Sequence, residues 1–455
     1  DVRPPSRARG RFDGQSRPVH HMAVVRSGAC RTVSRVSLRS STERLRLRRL
    51  GADIPGTGPG PRPGLRVAVV AECFLPEVNG VTNSVLRVLH HLEVSGHQAV
   101  VICPAPAGGR AGRAGRAGGP NRAGTPETCG SAPVVRMPSF ALPMYPTLSV
   151  ALPTPRLEAT LRWFRPDVVH LAAPVVLGAA GAAAARRLGI PTVAVYQTDL
   201  AGFAERYGFS AAGPAIWAWL RKVHRVADLT LAPSSAAAWA LEANGIGPVG
   251  RWGRGVDLEA FHPSHRSDEW RRVVAPSGET IVGYVGRLAP EKDVQLLAQV
   301  QDLAGTRLVI VGDGPDRARL QALLPRARFL GLQRGAALSR SLASLDLFVH
   351  TGAHETFCQT IQEAQASGVA VVAPAAGGPL DLVDHGRTGW LVPPGSPTML
   401  RGAVAALVRE PTLRAEMGAA GRAAVATRAW TAVGDELLAH YRSVVRRPVG
   451  RLAAA

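Results

Sequence analysis

The chain has 455 residues, of which 46% are hydrophobic and 19% are charged, so it can form folded cores and wholesale disorder is excluded. Its formal net charge of +21 suggests a polyanionic partner such as nucleic acid, an anionic membrane or a phosphorylated ligand. Residues 1–64, however, contain 14 arginines, no lysine and four acidic residues, so the folded part is only moderately basic and the nucleic-acid interpretation is weakened.

The two ends of the chain are predicted to lie outside the folded domains. Residues 1–64 are rich in Arg, Ser, Pro and Gly without sustained periodicity, which predicts a disordered basic tail. A start-site artefact or a dispensable extension is favoured over a targeting arm or a membrane-attracting arm. Residues 446–455 are predicted to be a second tail. The five cysteines form no C-x-x-C pair and fit neither a zinc site nor a disulfide framework, which favours a reducing cytoplasm.

A first α/β domain is predicted over residues 65–262. The buried strand Leu65–Ala71, an amphipathic helix that ends at Gly96 and a second strand, Gln98–Cys103, form a βαβ unit, which implies a right-handed crossover in a parallel sheet. Residues 105–133, which contain GRAGRAGRAGG, are predicted to be a flexible insertion. Further strands are predicted at Val168–Leu171, Thr192–Tyr196 and Leu229–Ala232.

A second α/β domain is predicted over residues 263–428, followed by a helix over 429–445 that crosses back to the first domain. Ligands bind at the carboxyl ends of the strands in such doubly wound sheets, so a site is expected in the cleft between the domains. The predicted strands of this domain are Thr280–Val285, Leu308–Val311, Arg328–Leu330, Leu345–Val349 and Val369–Ala373.

Two cations follow the first predicted strand of the second domain. Arg287 comes directly after Gly286 at the carboxyl end of that strand, and Lys292 follows five residues after Arg287. Cations at this end of a parallel strand are well placed to bind a diphosphate. The spacing alone leaves open the alternative that they are a pair of surface residues.

Two glutamates eight residues apart follow the predicted strand Leu345–Val349. Glu355 lies on the loop, and Glu363 is predicted to lie about two turns into a helix that begins near Thr356. The N-terminus of that helix offers free N–H groups to an anion, and a carboxylate on it can accept two hydroxyl hydrogen bonds, as from a ribose. Either glutamate alone could be a solvated helix residue, but the pair after the G-R-x4-K pattern is more specific.

Taken together, these motifs resemble the retaining glycosyltransferases of family 4, over residues 65–445. Details in Tyr196–Gly208 and Glu355–Gln359 are most similar to actinobacterial GDP-mannose-dependent α-mannosyltransferases that act on membrane glycolipids. The matching pieces are Pro76–Thr82 (PEVNGVT), Arg254–Asp257 (RGVD), Gly286-Arg287 with Lys292, Val311–Pro315 (VGDGP) and the E-x7-E pair Glu355 and Glu363.

The resemblance implies the GT-B fold, in which two Rossmann-like, doubly wound parallel-sheet domains face each other across a cleft. It implies transfer of mannose, with retention, from GDP-mannose to a lipid-linked acceptor. In such an enzyme Arg287 and Lys292 would neutralise the donor diphosphate, Glu363 would hold the ribose, and Glu355 would contact the donor sugar, which makes Arg287, Lys292 and Glu355 the catalytic candidates.

Further donor-binding residues come from two loops. Asn79 and Gly80 would let the first-domain loop approach the donor, because glycine has no Cβ. The backbone amides of Thr356, Phe357 and Cys358 would lie beside the donor sugar, with Cys358 standing where relatives often have glycine.

The acceptor side matches the family less well. Gln197 stands where many relatives have a histidine; its amide cannot act as a base but could bind a sugar hydroxyl. Asp199 and His170 are further acceptor-side candidates, although a structural role is the more common one for a histidine such as His170. Since no carboxylate is an obvious nucleophile, the family suggests front-face substitution in which the leaving phosphate takes the acceptor's proton.

Neither a metal nor another cofactor is expected. The chain contains no D-x-D pattern, which metal-dependent nucleotide-sugar enzymes use to hold their cation. Arg287, Lys292 and a helix N-terminus can supply the same positive field.

A lipid-linked acceptor implies peripheral attachment at the cytoplasmic face of the plasma membrane. The predicted helix Pro214–Ala227 could contact an anionic surface, because basic residues and tryptophan both favour the interface; packing on its own sheet is the alternative. The side chains concerned are Trp217, Trp219, Arg221, Lys222 and Arg225.

Three alternatives to the leading function stay open. Two of them keep the same chemistry, on phosphatidylinositol mannosides or with another nucleotide sugar such as UDP-glucose. The third, a nucleic-acid-binding protein, has no support from the aromatic–basic interleaving of RNA modules, so no nucleic-acid partner is expected.

Overall fold

The computed structural model describes residues 64–106, 127–142, 145–206 and 208–446. The predicted N-terminal tail up to residue 63, most of the predicted insertion and residues 447–455 lie outside the described residues. The strands of the first domain are β1 (Arg66–Ala71), β2 (Gln98–Pro104), β3 (Thr128–Cys129), β4 (Ala132–Met137), β5 (Ser139–Leu142), β6 (Tyr145–Ala151), β7 (Val168–Ala172), β8 (Thr192–Val195), β9 (Leu229–Ala232) and β10 (Val249–Arg251).

Eight of these strands form one sheet, in the order β10-β9-β8-β7-β1-β2-β4-β3. Neighbouring strands are parallel except for β3, which is antiparallel to β4. Strands β5 and β6 form a separate antiparallel hairpin. The helices associated with this domain are α1 (Gly80–Val94), α2 (Pro155–Phe164), α3 (Leu177–Arg187), α4 (Leu200–Arg206), α5 (Gly213–His224) and α6 (Ser235–Ala243).

The second domain contains a sheet of six parallel strands. They are β11 (Thr280–Val285), β12 (Thr306–Val311), β13 (Arg328–Gly331), β14 (Leu347–Val349), β15 (Ala370–Pro374) and β16 (Gly389–Val392), in the order β13-β12-β11-β14-β15-β16. The remaining helices are α7 (Asp268–Val274), α8 (Arg317–Leu323), α9 (Gly335–Ala343), α10 (Gln359–Ala366), α11 (Pro379–Leu382), α12 (Pro397–Arg409), α13 (Pro411–Val425) and α14 (Trp430–Val445).

The strands are apolar on both faces because helices cover both sides of each sheet. Along β1, Val67 and Val69 belong to one core cluster, whereas Ala68 and Val70 belong to the cluster on the opposite face. Successive side chains of a strand point to opposite faces, so a strand covered twice reads as a continuous apolar run. This explains why the central strands of both sheets were predictable from composition.

Helix α14 packs against the first domain although it follows the second in the chain. Val433, Leu437 and Tyr441 are buried in the same core cluster as β1. The hydroxyl of Tyr441 lies 2.8 Å from Nδ1 of His170 on β7, and the indole N–H of Trp252 donates to the carbonyl of Val433 at 2.9 Å.

The structure differs from the sequence predictions at the insertion and at several short or edge strands. Strand β3 lies inside the predicted insertion 105–133, and β4 begins in its last two residues. Strands β10 and β16 and the hairpin of β5 and β6 were not predicted, since they are short or lie at edges where apolar runs are interrupted. Within the described residues, no helix is both long and apolar enough to cross a bilayer.

Candidate active site

The two predicted phosphate-binding cations lie after β11, and each contacts a carboxylate. The guanidinium of Arg287 is 3.5 Å from the carboxylate of Glu291, and its side chain is 48% exposed. Lys292 ends a short 3-10 turn, and its Nζ is 2.6 Å from Oε1 of Glu355. The structure therefore brings together Lys292 and Glu355, which are 63 residues apart in the sequence.

Glu355 also lies beside a buried histidine that the sequence analysis did not identify. His350 directly follows β14, is buried, and places Nε2 3.2 Å from the same Oε1 of Glu355. Burial alone would lower the pKa of His350, but Cys358 and Glu355 raise it to about 10. Burial would raise the pKa of Glu355, but Lys292 and His350 hold it well below its usual range. Both contacts use Oε1, so the second carboxylate oxygen can accept hydrogen bonds from a ligand.

A glycine pair supports the loop that carries Glu355. The N–H of Gly378 donates to the carbonyl of Glu355 at 2.7 Å. A Cβ at Gly378 would lie only 2.2 Å from the carbonyl oxygen of Phe357, and Gly377 has a φ of +63°. No other residue fits this close approach of two backbones. The segment with Gly377 and Gly378 therefore fixes the position of the loop from Glu355 to Cys358.

Glu363 lies closer to the start of its helix than the sequence predicted. Cys358 has a left-handed backbone with a φ of 74°, so α10 begins at Gln359 rather than near Thr356. Glu363 is the fifth residue of α10, little more than one turn in. Burial raises the pKa of Glu363 to about 8, with Arg87, Gln359 and Arg254 opposing the shift.

The first-domain loop is shaped by the side chain of Asn79. Its Oδ1 accepts hydrogen bonds from the N–H groups of Val81 and Thr82, and so caps α1. Both Asn79 and Gly80 are exposed. The carbonyl oxygen of Gly80 accepts from the guanidinium of Arg254 at 3.0 Å. The glycine of this predicted loop is therefore held by an arginine that follows β10.

Gln197 joins the two domains. Its Oε1 accepts from Arg254 at 3.1 Å, and its backbone carbonyl accepts from the hydroxyl of Thr356 at 3.1 Å. The side chain of Gln197 is buried, and its Nε2 has no hydrogen-bond partner among the described residues. Of the acceptor-side candidates, Gln197 is the one that contacts the donor-side loop.

The other two acceptor-side candidates have structural contacts. Asp199 accepts from the hydroxyl of Tyr196 at 3.2 Å and from the N–H of Gly202 at 3.0 Å, at the start of α4. His170 is buried in the first-domain core against Tyr441, and burial lowers its pKa to about 4. A neutral, enclosed imidazole matches the structural alternative for His170 and not an acceptor-side role.

One group of three side chains in the described part of the chain could hold a metal ion. It comprises His350, Glu355 and Cys358, whose ligand atoms lie within 4.8 Å of one another. Glu355 of this group already contacts the ammonium of Lys292 through Oε1. The expectation of metal-independent chemistry stays a prediction that needs a direct test.

Both halves of the chain match family models. Residues 78–260 match the model described as Glycosyltransferase Family 4, and residues 266–424 match the one described as Glycosyl transferases group 1. The crystal structure of Anabaena HepE in complex with UDP has the same fold, with a TM-score of 0.65, at 20% identity over 83% of this chain and 100% of that chain.

Two relatives are similar over nearly their whole length. A protein of Mycobacterium tuberculosis named GDP-mannose-dependent alpha-mannosyltransferase is 52% identical over 84% of this chain and 97% of its own length. One of the same name from Corynebacterium glutamicum is 45% identical over 84% of this chain and 89% of its own length. Similarity of this extent, together with the two facing parallel-sheet domains, shows that the chain belongs to the family 4 glycosyltransferases with the GT-B fold.

Proposed function

We propose that this chain transfers mannose from GDP-mannose, with retention of configuration, to a membrane glycolipid at the cytoplasmic face of the plasma membrane. The names of the relatives at 52% and 45% identity support the nucleotide and the sugar. The observation at the site that supports the proposal is the 2.6 Å contact between Lys292, the cation that we assign to the phosphate, and Glu355, the carboxylate that we assign to the sugar.

Each charged group then has a defined task. Arg287 and Lys292 neutralise the diphosphate and the negative charge that develops on it as the bond to mannose breaks. Glu363 accepts hydrogen bonds from the ribose hydroxyls. Glu355, held through Oε1 by Lys292 and His350, accepts from hydroxyls of the mannose through its other oxygen.

The transfer itself needs no protein nucleophile. The acceptor oxygen forms its bond to the anomeric carbon on the face from which the phosphate oxygen departs, and that phosphate oxygen takes the acceptor's proton. Gln197 can supply a hydrogen bond in the cleft but no base, which fits a reaction in which the leaving group accepts the proton.

A donor panel tests the proposal. The purified protein is incubated with GDP-mannose, GDP-glucose, UDP-glucose or UDP-galactose and a membrane-lipid extract, and the products are identified by mass. We expect a hexosylated lipid from GDP-mannose alone, whose glycosidic linkage is α. A product formed from UDP-glucose instead would contradict the donor, and a product in the water-soluble fraction alone would contradict the acceptor.

Metal independence is a separate prediction. Because Lys292 and Arg287 can neutralise the diphosphate without a divalent ion, we expect turnover to survive excess EDTA and to be unchanged by added Mg²⁺ or Mn²⁺. The measurement is the rate of GDP release after exhaustive chelation. Loss of turnover that Mg²⁺ or Mn²⁺ restores would show that a metal takes part.

Fewer side chains of α5 are available to a membrane than the sequence analysis suggested. Trp217 stacks on Tyr196 with ring centroids 6.4 Å apart, and Arg221 donates to the carbonyl of Asn244, so both face their own domain. Trp219 is 40% exposed, with the ammonium of Lys222 5.7 Å from the centroid of its ring. Arg225 is also exposed. We call Trp219, Lys222 and Arg225 the α5 surface.

Co-sedimentation with liposomes that contain anionic lipid tests this surface. The double variant Lys222→Glu/Arg225→Glu should partition at least roughly 30-fold more weakly, since each basic residue near anionic headgroups contributes about 1 kcal/mol and the new carboxylates are repelled. The matched control is Arg326→Glu/Arg387→Glu, which makes the same charge change on the second domain at side chains that are 71% and 74% exposed. Both pairs are compared with and without residues 1–63, and equal partitioning of the two variants would exclude the α5 surface.

A further inference from the structure

Arg254 is a buried arginine that follows β10, the last strand of the first domain, and its contacts reach both domains. Its guanidinium donates to the carbonyl of Gly80 at 3.0 Å and to Oε1 of Gln197 at 3.1 Å, both in the first domain. Its own backbone carbonyl accepts from Nε2 of Gln362, on the helix that carries Glu363 in the second domain.

The charge of Arg254 is not balanced by an ion pair. Arg254 is 8% exposed, and in the described part of the chain its hydrogen-bond partners are oxygen atoms of uncharged groups. Burial lowers its pKa to about 10, while the more distant charges of Glu355 and Glu363 act in the opposite direction. The guanidinium therefore stays cationic at neutral pH, in a place where an uncompensated charge is costly.

The hydrogen-bonding capacity of Arg254 is also unfilled. A guanidinium has five N–H donors, and two of them are used by Gly80 and Gln197. Nε is buried and has no partner among the described residues. By contrast, Arg287 and Lys292 already contact the carboxylates of Glu291 and Glu355. Arg254 therefore keeps donor capacity that no described residue fills.

The surroundings of Arg254 indicate which anion that is. A Cβ at Gly80 would lie 2.9 Å from Nη1 of Arg254, so the guanidinium occupies the space beside the glycine of the predicted donor-binding loop. Its electrostatic interaction with both Glu355 and Glu363 places it in range of the two carboxylates assigned to the sugar and the ribose. The diphosphate is the part of a nucleotide sugar that lies between those two groups.

We propose that Arg254 is a third donor-site cation, which binds the diphosphate of the nucleotide sugar and at the same time holds the Gly80 loop and the Gln197 amide in position. This inference rests on the proposed function, because it assumes a nucleoside diphosphate donor. A planar guanidinium suits the task, since it can donate to a phosphate and to the protein from different edges.

Calorimetric titration with GDP-mannose, GDP and guanosine separates phosphate binding from a structural role. Charge-assisted hydrogen bonds are lost in Arg254→Gln, so its affinity for GDP and GDP-mannose should fall about 10- to 150-fold. Its affinity for guanosine, measured by competition, should not change. Arg254→Lys keeps the positive charge but not the planar set of N–H donors, and we expect it to lose less GDP affinity than Arg254→Gln.

Arg251→Gln is the matched control, because Arg251 forms an ion pair with Asp381 of the second domain but is 44% exposed. It should bind all three ligands as the unchanged chain does. Unchanged GDP affinity in Arg254→Gln, or equal losses for guanosine and GDP, would overturn the inference. If Arg254→Gln does not fold, Arg254→Lys is used to test the inference by the same criterion. The inference then requires that its affinity for GDP falls by more than its affinity for guanosine.

Ligand binding by the unchanged chain, rather than by the variants, tests the proposed function. If the unchanged chain binds UDP and uridine but not GDP and guanosine, the guanine donor is wrong, and the same comparison in the Arg254 variants is made with UDP. If the unchanged chain binds neither GDP nor UDP, both the proposed function and the inference about Arg254 are overturned.

Discussion

The charge state of Glu363 governs how strongly this side chain can hold a ribose. Burial raises the pKa of its carboxyl to about 8 from an ordinary value of 4.5, so part of the population is neutral near pH 7. A neutral carboxyl is a weaker acceptor than a carboxylate, whose hydrogen bonds are charge-assisted. Ligand binding and deprotonation of Glu363 should therefore favour each other.

We expect the affinity for GDP-mannose to rise with pH, with the change centred between 4.5 and about 8. A raised pKa means that the weakly accepting, protonated form persists on the acidic side, so affinity is lost as the pH falls. GDP-mannose is the appropriate probe, because both of its phosphates are esterified and do not titrate in this range. Calorimetry on Glu363→Gln should give a flat profile, and a flat profile for the unchanged chain would refute the assignment.

Removal of the carboxylate should weaken donor binding directly. In Glu363→Ala the ribose loses a charged acceptor, so affinity for GDP-mannose should fall about 10- to 150-fold. Glu416→Ala, at an exposed glutamate of α13, is the control and should leave binding unchanged. If the two variants bind equally well with intact folds, Glu363 does not contact the donor.

Local sequence identified some residues of the site and missed others for a physical reason. Arg287, Lys292 and Glu355 follow strands in recognisable spacings, so they could be named in advance. His350 could have been suspected, because it ends a buried strand at the edge where ligands bind. The contacts of Arg254 could not be predicted, since its partners Gly80 and Gln197 come from distant parts of the chain.

At the scale of elements, parallel strands covered on both faces were the most predictable parts of the fold. β9 and β11 have the predicted bounds, because an uninterrupted apolar run between turn residues has few alternatives. The start of α10 was wrong by three residues, since the left-handed backbone of Cys358 delays the helix and a non-glycine residue rarely adopts that conformation.

The glycine-rich loop after β15 should tolerate no side chain at Gly378. In Gly378→Ala the new Cβ would meet the backbone of Phe357, so the loop that carries Glu355 must move. We expect the free energy of unfolding to fall by roughly 1–3 kcal/mol and turnover to fall with it. Chemical denaturation and the rate of GDP release measure the two effects.

Gly402→Ala is the matched control for this substitution. Gly402 lies inside α12, and a Cβ at this position would meet no atom within 4 Å, so alanine should raise the free energy of unfolding by about 0.5–1 kcal/mol. Equal behaviour of the two variants would show that the approach of the two loops does not constrain the site.

At the scale of the whole molecule, about half of the net positive charge lies outside the domains that carry the candidate site. Residues 1–63 contain 14 arginines, whereas the candidate site lies between residues 79 and 363. Deletion of residues 1–63 should therefore weaken retention on immobilised DNA and reduce its dependence on salt, because fewer phosphate contacts release fewer counterions. Transfer from GDP-mannose should continue. Tight DNA binding by the shortened chain would instead favour a nucleic-acid partner.

The packing of α14 has a consequence for how the chain acquires its structure during synthesis. The core beneath β1 includes Val433, Leu437 and Tyr441, which leave the ribosome more than 350 residues after the strand that they cover. Domains generally fold as units as they emerge. Here the second domain can complete its own sheet while the first still exposes an apolar face to chaperones or to other nascent chains. The domain that is translated first is thus the one that finishes folding last.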